Sequence, residues 1–184
     1  MLSVGGTMRG YDADEYRYVL KIIRLIMIQI FQDALFAAIA AIGFAAISRP
    51  PSNAYGYCAL IAAAGHSCRF MLIGASLHII PATLVSSFII GCLAVAVSRH
   101  AKFPAETCLF PSLLPMIPGI YAYKAFGGLA LCLLAGSPQA FLSGFYHFAY
   151  NSMMCCSILS CMVIGATLPT FIFKKISFSA TRQN

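Results

Sequence analysis

Three ionisable side chains stand inside stretches that are otherwise apolar: Asp33 in IFQDALFAAIAA, and His66 and Arg69 in ALIAAAGHSCRFMLIGA. Arginine stays charged at any ordinary pH. Arg69 must therefore snorkel to an interface, pair with an acid, or face water. Facing a cavity, it would be a fixed cation for an anionic substrate. His66 lies three residues earlier on the same helix face, where it is a titratable neighbour or a hydrogen-bond donor. A charged residue near the centre of a span costs at least about 2.5–3.5 kcal/mol. Asp33 is thus either part of a packing face that reaches an interface or a partner, or a cavity residue that titrates or binds a cation. A direct pair of Asp33 with Arg69 would make both structural. The residues alone leave these alternatives open.

A second chemical element is FPSLLPMIPGIYAYKAFGG, residues 110–128. Each of Pro111, Pro115 and Pro118 removes a helical hydrogen bond and disfavours helix for the residue before it. With Gly119 following, they are expected to break or unwind a helix. Free backbone at membrane depth is tolerated where protein or a wet cavity satisfies it, and discontinuous helices of this kind build substrate sites in transporters. A downstream half-helix would aim N–H groups and a positive dipole end at an anion, with Tyr121, Tyr123 and Lys124 close behind. Further on, His147 and Asn151 share a helix face, for interhelical hydrogen bonding or for lining a pathway.

The elements that carry these residues follow from composition. The 184-residue chain is 60% hydrophobic and 9% charged, with a mean hydropathy of +0.85. That is too little polar surface to cover a globule in water, so lipid covers much of it. The apolar runs are long and unbroken, which points to an all-α, polytopic transmembrane bundle rather than a barrel of short alternating strands. About five spans are expected, near 26–47, 55–75, 82–98, 107–127 and 141–168, the fourth interrupted by its prolines. The stretch 129–135 is too short to cross alone; it extends the fourth helix or lies at the interface. Positions 29, 33, 37, 41 and 45 form a stripe of Gln, Asp, Ala, Ala and Ala, which would let another helix approach closely.

Three regions result: a polar and amphipathic segment 1–25, a transmembrane domain 26–173, and a basic tail 174–184. In the first, Arg17, Lys21 and Arg24 share one face. This piece either lies in the headgroup layer or continues straight into the first span. The N-terminus has neither the basic region nor the early apolar core of a signal peptide, so the first span is expected to act as the insertion signal. Arg49, Arg99 with Lys102, and Lys174, Lys175 and Arg182 fall on one side of a five-span chain, which the positive-inside rule makes cytoplasmic. The C-terminus is then inside. Arg9, Arg17, Lys21 and Arg24 at the other end run against this orientation.

Several classes are set aside. The net charge of +7 flanks apolar runs and comes with no nucleic-acid motif, so lipid headgroups are its expected partners. The eight cysteines form no CxxC pair and no zinc-type spacing to a histidine; they read as small packing residues. No Walker A, HExxH or GxSxG element is present. Neither enzyme activity, a cofactor nor a metal is expected.

Taken together, LFAAIAAIGFAAI (35–47), CALIAAAGHSCRFMLI (58–73) and LLPMIPGIYAYKA (113–125) resemble the small membrane component of the threonine/serine exporter family. The most specific parts are Pro115, Pro118, Gly119, Ala122 and Tyr123 in one element, and Gly65, His66 and Arg69 in another. Gln32–Asp33 and Asn151 also fit. The resemblance implies a multi-pass protein of the bacterial inner membrane that exports small carboxylate-bearing metabolites, threonine/serine-type amino acids or dicarboxylates, driven by protons. It also implies a larger partner subunit with a cytoplasmic domain, forming with this chain an inverted repeat around a midplane site. On this reading Arg69, His66, Pro118, Gly119, Tyr121, Tyr123, Lys124 and Asn151 contact substrate, while Asp33 or His66 carries the proton. The competing readings are a non-transporting assembly subunit and a self-sufficient homo-oligomer.

Overall fold

The computed structural model describes residues 13–101 and 103–173, which are helical apart from short connections. Six helices follow in order: α1 Ala13–Ser48, α2 Ala54–Gly74, α3 Ile79–Ala101, α4 Glu106–Leu113, α5 Gly119–Leu133 and α6 Pro138–Ile172, with a 3-10 turn Leu114–Met116 between α4 and α5. Helices α1, α2, α3 and α6 are each long and apolar enough to cross a membrane. The α4 and α5 segments pass that test together, bent by 51°, which makes five crossings when the bent pair counts as one span. Lys102, Lys174, Lys175 and Arg182 lie outside the described residues, as do residues 1–12.

Two alternatives left by the sequence are resolved. Helix α1 runs unbroken through the expected boundary at 25/26, so the basic stretch continues the first span. Residues 129–133 belong to α5, so that apolar stretch extends the fourth span.

Small and hydroxylated side chains are prominent in the interior, around a few large ones such as Ile90, Met116 and Ile158, and most of the large apolar residues face outward. Ala41, Ala45, Ala54, Ala62 and Ala82 are fully buried, as are Thr83, Ser86, Ser87 and Ser112, while Phe36, Leu60, Tyr123, Phe126 and Phe171 are exposed. This inversion of a water-soluble core is what a bundle in lipid requires, because lipid solvates large apolar groups and close helix approach rewards small ones. The stripe on α1 is a packing face: Ala37 and Ala41 meet Ala62 of α2. At the α3–α6 crossing a Cβ on Gly165 would lie 2.5 Å from the Leu84 carbonyl, and one on Gly91 2.6 Å from the Ala166 carbonyl. Ser87 Oγ donates across the same crossing to the Cys161 carbonyl at 3.4 Å.

Helix α1 packs mainly on α2, α2 also on α3 and α4, α3 on α6, and α6 on α5. Helix α5 packs on α6 and on no other helix to a comparable extent. It buries only Ala125 and Gly128.

Candidate functional site

The expected break is present, but not at every proline. Pro111 lies inside α4 and is fully buried, so the helix runs through it to Leu113; this corrects its assignment to the break. Its missing N–H frees the Thr107 carbonyl four residues earlier, and Cys58 Sγ of α2 approaches that oxygen at 3.8 Å as a weak donor. Ser112 Oγ donates to the Cys58 carbonyl at 3.0 Å, so α2 and α4 are stitched together just before the break. With its lost bond replaced from a neighbour, the helix continues.

The break comes at Ile117–Pro118. Ile117 is extended, with φ −55° and ψ 130°, as expected for a residue preceding proline. Pro118 has φ −76° and ψ 60°, and the Gly119 N–H donates to the Ile117 carbonyl at 2.8 Å. This is an inverse γ-turn centred on Pro118. Tyr121 and Ala122 then donate to the Pro118 carbonyl and start α5.

The turn leaves the carbonyls before it without their usual partners. Arg69 of α2 supplies one: its Nη1 donates to the Met116 carbonyl at 3.2 Å. His66, one turn earlier on α2, has Nδ1 3.4 Å from Asp33 Oδ2 of α1. The His66 side chain is 8% exposed and that of Asp33 36%. The other imidazole nitrogen, Nε2, is buried without a hydrogen-bond partner. One cluster thus joins α1, α2 and the broken span. With neutral His66, the charges of Asp33 and Arg69 cancel. Protonation adds one positive charge, adjacent to the carboxylate.

Of the alternatives left open, the direct Asp33–Arg69 pair is absent among the described residues: Asp33 is in contact with His66, while Arg69 donates to backbone. That backbone acceptor could not be found from residue types, since a carbonyl is present at every position. The hint was the run of prolines, which had to leave carbonyls unsatisfied somewhere.

The remaining candidates lie elsewhere. Tyr123, Lys124 and Asn151 line a groove of about 670 Å³ between α5 and α6, together with Gly127, Tyr146, His147 and Tyr150. None of Asp33, His66 or Arg69 lines it. Asn151 is buried, and its amide donates to the His147 carbonyl of its own helix at 2.6 Å rather than to another helix. Tyr121 is half-buried at the start of α5 and lines neither region. Pro118 is buried and Gly119 exposed at the turn itself. Tyr146 and Tyr150 were not singled out from the sequence; their i, i+4 spacing and stacked rings, 6.2 Å apart, place them on the groove wall beside His147.

Comparison with known proteins bears on this arrangement. The family described as "Threonine/Serine exporter, ThrE" matches residues 33–172, from the cluster's own Asp33 to the end of α6. The chain belongs to the threonine/serine exporter family. A relative from Haemophilus influenzae, named only as an uncharacterized protein, is 33% identical over 151 residues, covering 82% of this chain and 50% of that protein. The chain thus spans about half the length of this curated relative. No solved structure matches it. Membership in an exporter family agrees with the apolar bundle and with a polar cluster built around a helix break.

Proposed function

We propose that this chain is the small membrane subunit of a proton-driven exporter for amino acids of the threonine and serine class, acting with a larger family subunit in a bacterial inner membrane, its C-terminus in the cytoplasm. The observation that carries the reading is the Asp33–His66 contact beside Arg69 at the broken span.

The chemistry follows from what each group has left to offer. A guanidinium has five N–H donors, and the Met116 carbonyl engages Nη1. The others can grip a substrate carboxylate in the forked geometry that arginine favours. The Asp33 side chain is partly open, so it can take the α-ammonium of a zwitterion whose carboxylate rests on Arg69. The same carboxylate can instead hold a protonated His66. Substrate ammonium and proton then compete for Asp33. Mutually exclusive occupancy of this kind is what an exporter needs when protons run in as substrate runs out. A dicarboxylate would set its second negative charge against Asp33, which favours amino acids over dicarboxylates as cargo.

The test is efflux of preloaded labelled serine, threonine and succinate from cells lacking their own exporters, with this chain alone and with the larger family subunit from its genome. Serine and threonine efflux from the pair only, blocked by Arg69→Gln, is the expected result. Efflux from the chain alone would overturn the two-part reading. Preference for succinate would overturn the role given to Asp33. Wild-type efflux from the Arg69→Gln protein would remove the site altogether.

A further inference from the structure

The groove between α5 and α6 is mainly apolar, yet it holds Lys124, His147 and Asn151 on a face where lipid would be met by apolar groups alone. Lys124 lies nine residues before the end of α5 at Leu133, and His147 nine residues after the start of α6 at Pro138. With the α5–α6 turn taken as the edge of the hydrocarbon core, both sit about 14 Å below it, close to the middle of a core about 30 Å thick. Both side chains are exposed. At that depth the four-carbon stem of lysine does not reach a headgroup layer. Among the described residues no carboxylate pairs with Lys124. Acyl chains offer it nothing, so this face is covered by something that does.

We propose that the α5–α6 groove docks a transmembrane helix of another polypeptide, which presents a carboxylate to Lys124. The inference rests on the two-part reading above and says which face joins the parts. Three observations support protein as the occupant. The walls carry Tyr123, Tyr146 and Tyr150, which combine apolar rings with hydroxyls, as interface residues do. Of the adjacent glycines, Gly128 is consumed inside the hairpin, where a Cβ would collide with the Phe148 backbone nitrogen, while Gly127 lines the groove with nothing within 4 Å of its would-be Cβ. A small residue on an exposed face, beside tyrosines, is where another helix can approach closely. Finally, α5 has only α6 as a substantial neighbour.

A second copy of this chain fits poorly. Its five acidic residues are Asp12, Asp14, Glu15, Asp33 and Glu106. Asp33 is in contact with His66, Glu106 is the first residue of α4, and the other three precede the first apolar run. None offers a free carboxylate at mid-depth.

The experiment uses the full chain in the membranes of its own cells, with a photo-cross-linking benzoylphenylalanine in place of Tyr146. A control carries it at Phe36, on the exposed side of α1. Adducts are identified by peptide mass spectrometry. The expected result is an adduct at Tyr146, not at Phe36, to a membrane helix of another polypeptide with Asp or Glu within one turn of the linked residue. Lys124→Glu should cut its yield by about tenfold through like-charge repulsion, and Lys substituted for the partner acid should restore it. An adduct to a second copy, adducts to lipid alone, a partner helix without a carboxylate, or a yield indifferent to Lys124→Glu would each overturn the proposal. The readout needs no transport. A normal yield in Arg69→Gln protein that no longer exports would leave the docking face standing. A normal efflux without the adduct would sink the docking face and leave the exporter reading intact.

Discussion

The two polar regions of this bundle settle their charges in opposite ways. Around the helix break, every charged group has its answer within the chain: Asp33 meets His66, and Arg69 meets the Met116 carbonyl. These groups sit where α1, α2 and α4 pack through alanine, serine and cysteine, with Ala37, Ala41 and Ala62 fitted together beneath them. Along α5 and α6, among the described residues, Lys124 has no acid, Tyr123, Tyr146 and Tyr150 are exposed, and α5 rests on α6 alone to any substantial extent. A charge at membrane depth is tolerated when it is paired or wet. The first region meets that condition by folding. On the docking proposal the second would meet it in company with another polypeptide, which would distinguish a site within one subunit from a surface between two.

This contrast can be attacked directly. The largest effect is expected from Arg69→Gln, with loss of serine efflux of about 100-fold or more, as for removing a preorganised charged donor. The Met116 carbonyl would also lose its partner, at about 1–3 kcal/mol for a buried unsatisfied acceptor. Arg69→Lys should recover much of the stability and little of the transport, because a point charge does not replace the fork. Efflux assays beside thermal unfolding in detergent separate the two. Full transport with lysine would mean that Arg69 acts only as a charge.

Asp33→Asn comes next. Efflux should fall by about tenfold or more through loss of the ammonium contact, and its pH response should flatten. In the wild type, acid on the substrate side keeps His66 charged and Asp33 occupied, so apparent affinity for serine drops as pH falls; the asparagine protein should lose that slope. A slope that persists would move the proton elsewhere.

Gly128→Val tests the other region. Overpacking the α5–α6 contact should cost about 1–3 kcal/mol, read as earlier melting and as loss of cross-linking from Tyr146. Gly43→Val on α1, where nothing lies within 4 Å, is the matched control and should melt close to wild type. The smallest shift is expected from Ser112→Ala, which removes one hydrogen bond to the Cys58 carbonyl. It should cost about 0.5–1.5 kcal/mol and leave efflux and cross-linking unchanged, since neither region uses that bond.

Much of the architecture was legible in residue order. The alanines at 37, 41 and 45 recur at the helical period, so their burial on one face of α1 could be read locally. Ile117 before Pro118 reads as extended because the proline ring disfavours the helical alternative. Pro111 was misread as part of the break. A proline in a helix costs both a hydrogen bond and a ring clash with the carbonyl four residues before it, and here the carbonyl it strands finds a weak donor in a cysteine 49 residues earlier in the chain. Lys124 and Asn151, grouped with Arg69 as substrate contacts from the sequence, line a different region from Arg69. Shared membrane depth does not mean a shared cavity, and the turn at Pro118 directs α5 toward α6.

By itself the sequence determined that the chain is an apolar helical bundle, which faces of its helices are small, that one span must break near Pro118, and that Asp33, His66 and Arg69 need partners. Those properties depend on composition, on the 3.6-residue period and on proline's missing hydrogen, all of which are local. Only the tertiary structure decided which partner each received. Helix neighbours are chosen by the close approach of small residues far apart in the chain. The acceptor that holds Arg69 is a main-chain oxygen, a group every residue carries and only the fold can single out.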